Sequence, residues 1–351
     1  MKRLINLLRV NMNKVVDIFL KLVAIDSPSG HEQGMIEYVK NWLNKIGLNY
    51  QIDSVGNILA KKPGIGPPIL FCVHMDTVQP GQGIKPILIN NKIIKSSGNT
   101  ILGTDNKAAV ASLMMAVEES LSLKSFELLF TVNEENGSGL NNFHFDWIKS
   151  KIGFTFDSIK PIGSIILRSP FICLFEAEFN GKASHSSIPK KGINALIPAI
   201  NALKKIKVGK LDSDETTINL GLIGGGTGVN IIPEKVTIKG EIRSYQKKLF
   251  NNNLVKIKNI FNKAKFETSG FAPGYSHNKS SSLIKKINNI YKFLNIKPQY
   301  YFYSAVSDAN ILNSKGIEVI NLGDGVENAH TINEQININD LIKLKMIIHK
   351  I

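Results

Sequence analysis

Seven residues of this 351-residue chain have the types and the spacing to hold metal ions and move protons. His74 and Asp76 come just after the apolar run Ile69-Leu70-Phe71-Cys72-Val73. Glu134 and Glu135 follow Leu128–Val132, and Asp157 follows Phe154-Thr155-Phe156. His330 follows the strand-like Glu318–Leu322, and Asp105 precedes a helix expected from Ala108 to Leu121. Open α/β sheets bind ligands beyond the carboxyl ends of their strands, so these residues gather at one edge. Burying that many acids together is prohibitive unless cations neutralise them. Imidazole nitrogens with carboxylate oxygens suit zinc or cobalt, and manganese less well. A lone His-x-Asp or Glu-Glu carries little weight; the ordered set carries it. Neither Cys72 nor Cys173 stands at one of these positions.

The elements that must position this set alternate. Val15 to Ile46 has helical periodicity, broken by Ser27-Pro28-Ser29-Gly30. The short runs after it are apolar on both faces and interleave with helices, which predicts an α/β fold with a mainly parallel sheet sandwiched by helices. Between about Phe171 and Tyr275 the pattern changes. Phe175–Phe179, Thr216–Leu222 and Lys235–Ile242 alternate like half-exposed antiparallel strands, with helices expected at Ile193–Ile206 and Leu254–Lys263. This predicts a smaller α+β domain, residues 171–275, inserted into a catalytic α/β domain made of residues 1–170 and 276–351. Gly224-Gly225-Gly226-Thr227-Gly228 lacks the Gly-Lys-Ser/Thr of a phosphate cradle and reads as a turn between strands. Ser184-His185-Ser186 lacks a Gly-x-Ser-x-Gly elbow.

Composition narrows the function classes. A hydrophobic fraction of 43% and a charged fraction of 20% support a sizeable core. Net charge is +15, but the only arginines are Arg3, Arg9, Arg168 and Arg243, and lysines are spread along the helical stretches. A nucleic-acid surface clusters its basic residues and interleaves aromatics, so no nucleic-acid partner is expected. No stretch approaches the ~20 apolar residues of a membrane span. Leu4–Val23 is cut by Arg9, Lys14, Asp17 and Lys21 and lacks a small-residue cleavage site, so neither leader nor membrane anchor is expected. Two cysteines inside apolar runs make no disulfide framework and fit a reducing cytoplasm.

Five stretches together resemble the di-zinc metallopeptidases that include peptidase T, carboxypeptidase G2 and aminoacylase-1, most closely the peptidase T-like branch. They are Val73-His74-Met75-Asp76-Thr77-Val78, Leu102-Gly103-Thr104-Asp105-Asn106-Lys107-Ala108-Ala109, Thr131-Val132-Asn133-Glu134-Glu135, Gly181-Lys182-Ala183-Ser184-His185-Ser186 and Ala329-His330-Thr331-Ile332-Asn333-Glu334. The resemblance runs from Met12 onward, which makes Met12 a second candidate for the start. It implies two divalent ions, zinc first, with cobalt or manganese as alternatives. His74 and Asp157 would hold one, Glu135 and His330 the other, and Asp105 would bridge them. Asp76 would brace the His74 imidazole and Glu134 would be the general base. A cis peptide is implied at Asp105–Asn106. The insert would be a lid that forms a homodimer, with His185 as oxyanion donor, Asn230 on the substrate backbone and Arg243 on a carboxylate.

The implied activity is a tripeptide aminopeptidase. The alternatives are a deacylase of N-acyl amino acids and a catalytically silent peptide binder, and intact Glu134 argues against the silent one. One segment departs from the resemblance. Relatives carry Gly-Gly before Ser-Asp-Ala-Asn, whereas this chain has Ser304-Ala305-Val306-Ser307-Asp308-Ala309-Asn310. The departure adds Cβ atoms where backbone and substrate approach, which leaves the substrate open.

Overall fold

The computed structural model describes residues 14–119, 124–213 and 216–351. The choice between Met1 and Met12, and the end of the expected helix at Leu121, lie outside the described residues. The chain divides into two compact units: one runs up to Leu167 and adds His277–Tyr303 and Ser307–Ile351, and the other is Arg168–Ser276 with Ser304–Val306.

The larger unit is built on a six-stranded sheet in the order Asn49–Ile52, Ile58–Lys62, Lys124–Thr131, Ile65–His74, Ile152–Thr155, Glu318–Asn321. The last four strands are mutually parallel and the first two are antiparallel. The parallel strands run Leu70–His74 and Phe126–Thr131 almost wholly buried. That is how strands covered on both faces read in sequence. Register aligns His74 with Thr131, and Thr155 with both Cys72 and Asn321. The chain therefore leaves four neighbouring strands along one edge, a step before the residues with chemistry.

Helices cover the sheet. Gln33–Lys45 buries Met35, Ile36, Val39, Trp42 and Leu43, the spacing of one helical face. Thr104–Glu119 is buried nearly all round and packs against both the Ile65–His74 strand and the Ile338–Lys350 helix. Its first turn is not helical at Asp105 (φ −77°, ψ 102°) or Asn106 (φ −119°, ψ 19°), so the regular helix begins beyond them. A four-stranded sheet made of Pro86–Ile89, Ile93–Ser96, Gln335–Asn337 and Val326–Glu327 was not foreseen. Its strands are two to four residues long, too short for a period to register.

The smaller unit is a five-stranded antiparallel sheet in the order Gly209–Lys210, Thr217–Gly225, Lys235–Ser244, Phe171–Asn180, Lys265–Ala272. Cys173, Phe175, Ala177 and Phe179 point into its core, where helices Leu196–Leu203 and Lys247–Ile260 pack. On the other face Lys239 pairs with Glu176 at 2.8 Å, and Lys235 pairs with Glu178. Two expectations shift here. The second helix starts seven residues before Leu254, because Phe250 joins the core from its first turn. Gly224 and Gly225 end a strand instead of making the turn, which starts at Gly226 (φ +77°).

Candidate metal centre

The site draws His74, Glu134, Glu135 and Asp157 from the carboxyl ends of the parallel strands, Asp105 from the start of the Thr104–Glu119 helix and His330 from the loop between Val326–Glu327 and Gln335–Asn337. His74 ends its strand, and its Nδ1 lies 3.1 Å from the Asp76 carbonyl oxygen and 3.4 Å from Asp76 Oδ1. These acceptors hold a proton on Nδ1, and Nε2, which lies 3.2 Å from Asp105 Oδ1, is the nitrogen left to face a cation. The other Asp105 oxygen, Oδ2, lies 3.3 Å from His330 Nε2. His330 Nε2 is also 3.0 Å from Glu135 Oε1, an atom that makes no hydrogen bond of regular geometry. The donor atoms of His74, Asp105 and Asp157 lie within 4.8 Å of one another, as do those of Asp105, Glu135 and His330. Asp105 is common to both groups.

The backbone around these side chains is held by buried polar partners. Glu334 accepts four consecutive amides, those of Leu102 and Gly103 on Oε2 and those of Thr104 and Asp105 on Oε1, at 2.8–3.1 Å. Gly103, at φ +70°, gives the chain the left-handed step that lets them converge. The Asp105–Asn106 peptide is cis, as the resemblance implies. Asn321 accepts from the Asp157 amide at 3.0 Å and donates to its carbonyl at 2.7 Å. The Asp76 carboxylate accepts from Ser29 Oγ at 2.7 Å and from the amides of Glu134 and Glu135 at 3.0 and 3.1 Å. Asp76 thus holds the turn bearing the two glutamates as well as touching His74.

The electrostatics are those of a site short of positive charge. Burial, and then the neighbouring carboxylates, push Glu134 and Asp157 well above the usual carboxylate range despite His74. Glu135 is raised chiefly by burial. Burial also works against Asp105, but its bonds to His330 and His74 hold it far below that range. Bonds to Asp105 and then Glu135 lift His330 to about 10. Imidazoles driven toward charge beside acids driven toward neutrality are what a pair of dications would relieve. The donor set, two imidazoles and three carboxylates with no thiolate, fits such ions.

The three residues expected from the insert lie in the smaller unit. His185 and Asn230 are brought together: the Ser186 amide donates to the Asn230 carbonyl at 2.8 Å, and His185 bridges to Ile231. His185 Nδ1 accepts from Ser187 Oγ at 2.7 Å and from the Ser187 amide at 3.2 Å, which leaves Nε2–H free to donate. Arg243 is placed apart from that pair. Its fork is on Glu241, at 2.8 and 2.9 Å, and Nη1 donates to the Ser304 carbonyl at 2.7 Å.

Several polar residues at the site went unassigned in the sequence. Glu334 closes one of the motifs, but its partners are 229 or more residues away in the chain. Asp308 is buried, accepts from Thr131 Oγ1 at 2.6 Å and is pushed to about 6 by burial. It lies within the segment noted for its missing glycines.

Comparison with known proteins relates the chain to peptidases. The family model described as the peptidase dimerisation domain of M20 enzymes matches residues 172–269. A Bacillus subtilis protein, YqjE, itself described as uncharacterized, is 31% identical over 95% of this chain and 96% of its own length. The crystal structure of the aminopeptidase PepT from Bacillus cereus is similar at 29% identity and a TM-score of 0.89, covering 97% of each chain. A tripeptidase from Staphylococcus aureus is similar at 27% identity and a TM-score of 0.89, again over 97% of each chain.

Proposed function

Because the chain belongs to the M20 metallopeptidase family, we propose that it removes the N-terminal residue from short free peptides, tripeptides above all. The observation that carries this reading is the pair of donor groups sharing Asp105 beside Glu134. In it His74 and Asp157 would hold one divalent ion, Glu135 and His330 the other, and Asp105 both. Zinc suits the donors best, with cobalt or manganese as substitutes. When bound, such a pair supplies a Lewis-acid pull on the scissile carbonyl and offsets the crowded negative charge.

The chain's own groups do the rest. Glu134 takes a proton from the attacking water as the new C–O bond forms. It then delivers that proton to the amide nitrogen as the C–N bond breaks. Asp76 holds the amides of Glu134 and Glu135 and so fixes base and ligand together. We assign catalysis to the larger unit and a lid and dimerisation role to the insert. From the insert, the free Nε2–H of His185 would donate to the developing oxyanion. Asn230 would contact the substrate's main chain, and Arg243 its carboxylate. The tripeptide preference draws on the two similar structures described as an aminopeptidase and a tripeptidase.

The partner proposed for the insert is a second copy of the chain. Of the Thr217–Gly225 strand, only Thr217 and Ile218 pair with Gly209–Lys210. Among the described residues, Asn219–Gly225 therefore presents an open edge, with Leu222 and Ile223 exposed. The Leu196–Leu203 helix, which packs on the Lys235–Ser244 and Phe171–Asn180 strands, exposes Leu196, Ile197 and Ile200. Among the described residues no helix is long and apolar enough to cross a membrane. Cys72 and Cys173 are free and buried, which suits the reducing cytoplasm proposed as its compartment.

The test is hydrolysis of a pool of tripeptides, dipeptides and N-acyl amino acids with zinc or cobalt supplied, followed by mass spectrometry, with Glu134→Ala as control. Release of the N-terminal residue from tripeptides is the expected result. Deacylation without peptide cleavage would replace the peptidase reading with the deacylase.

A further inference from the structure

The turn that carries Glu134 and Glu135 has four consecutive backbone amides, and each one donates to a side chain. Val132 donates to Asn57 Oδ1 at 2.9 Å, Asn133 to Glu32 Oε1 at 2.9 Å, and Glu134 and Glu135 to the two oxygens of Asp76. Glu32 belongs to neither donor group. It is only 4% exposed, and it stands ahead of the Gln33–Lys45 helix without capping it. The same Oε1 accepts from the Gly30 amide at 2.8 Å. The residue it grips, Asn133, has φ +54°, in the left-handed region that asparagine enters more readily than other residues with a side chain.

We infer that Glu32 is a positioning residue for the general base: one carboxylate oxygen pins the Asn133 amide, and through that residue aims Glu134. The inference rests on the proposed role of Glu134. A carboxylate grips an amide more tightly than a neutral acceptor does. The contact is made through a single oxygen, which a glutamine can replace and an alanine cannot. Loss of it leaves the half-buried Asn133 amide without its acceptor, and the turn moves to find another.

The experiment compares holoenzyme wild type, Glu32→Ala and Glu32→Gln on a tripeptide, measuring kcat, KM, bound metal and the unfolding midpoint. Deuterium exchange of the segment holding residues 132–135 is followed in parallel. A misplacement of about 1 Å in a catalytic group costs about 10²-fold, so Glu32→Ala should lower kcat by that order. KM and metal content should stay as in wild type, Glu32→Gln should recover most of the rate, and the turn should exchange faster in the alanine variant alone. An unchanged kcat in Glu32→Ala overturns the inference. So does loss of metal in step with the rate, or a glutamine variant as slow as the alanine. Should the alanine variant fail to fold, Glu32→Asp withdraws the oxygen while keeping a good residue at the helix start, and the same kcat loss is expected. A wild type inactive on peptides sinks the proposed function instead, and the exchange comparison then still decides whether Glu32 holds the turn.

Discussion

The two units treat their polar residues in opposite ways. In the larger one, His74, Asp76 and Asp105 are buried and each has two or more polar partners. In the smaller one, His185 and Asn230 are exposed, and the sheet spends its inward positions on Phe175, Ala177 and Phe179. A buried polar network is costly unless every member is satisfied, and once satisfied it is rigid. Asp76 and Asp105 therefore come out of folding already aimed. In the smaller unit the exposed His185 side chain is tied only to its neighbour Ser187, and its geometry is free to adapt to what it binds.

That contrast can be broken or sharpened by substitution. The largest effect is expected from Glu134→Ala, which should cut kcat by about 10²–10⁴-fold while metal analysis still finds two ions per chain. Loss of the ions would show that Glu134 holds the site together instead of moving the proton. Next, His185→Ala should lower kcat by about 10²–10³-fold, as removal of an oxyanion donor does. Its unfolding free energy in urea should move by no more than about 0.5 kcal/mol, since the side chain is exposed. A large drop in stability would make His185 part of the scaffold and erase the difference between the units.

Glu334→Ala should act the other way round. It strands four buried amide donors, each worth about 1–3 kcal/mol when unpaired, so urea unfolding should show a loss of at least about 3 kcal/mol. A stable Glu334→Ala protein would mean that water replaces the carboxylate there. The smallest effect is the acid sensitivity set by His277, whose Nε2 donates to the Val319 carbonyl at 2.9 Å. Burial holds its pKa below the usual value of about 6.5. The unfolded chain therefore binds this proton more readily than the folded one. The contribution is present above about pH 6.5 and is lost as pH falls through the lower, folded value. His277→Gln should flatten the pH dependence of unfolding in that window, and an unchanged slope would assign the acid sensitivity elsewhere.

The legible part of this molecule is what repeats locally. Ile69–Val73, Leu128–Val132 and Phe154–Phe156 stand out as doubly buried strands because each is a short apolar run on its own. The alternation of Phe175–Phe179 marks the antiparallel sheet of the insert for the same reason. The hairpin Asn49–Ile52 with Ile58–Lys62 escapes notice because its first strand is mostly exposed, so its residues alternate weakly. At the site, His74, Asp105, Glu135, Asp157 and His330 could be named from their motifs, whereas Glu32, Asn57 and Glu334 could not. Each of those three is an ordinary polar residue whose partner is a backbone amide, and no side-chain pattern encodes an amide more than 70 residues away.

What the sequence by itself determined is which donor types stand just beyond the strands, because the end of a buried strand is a local event set by its own apolar run. Only the tertiary structure decided that one oxygen of Asp105 faces His74 and the other His330, 225 residues further along. It also decided that Asp76 grips the glutamate turn as well as the imidazole. Where a side chain points beyond a strand end depends on how distant loops close around it and which buried amides still need an acceptor. Both are satisfied only when the whole unit is packed.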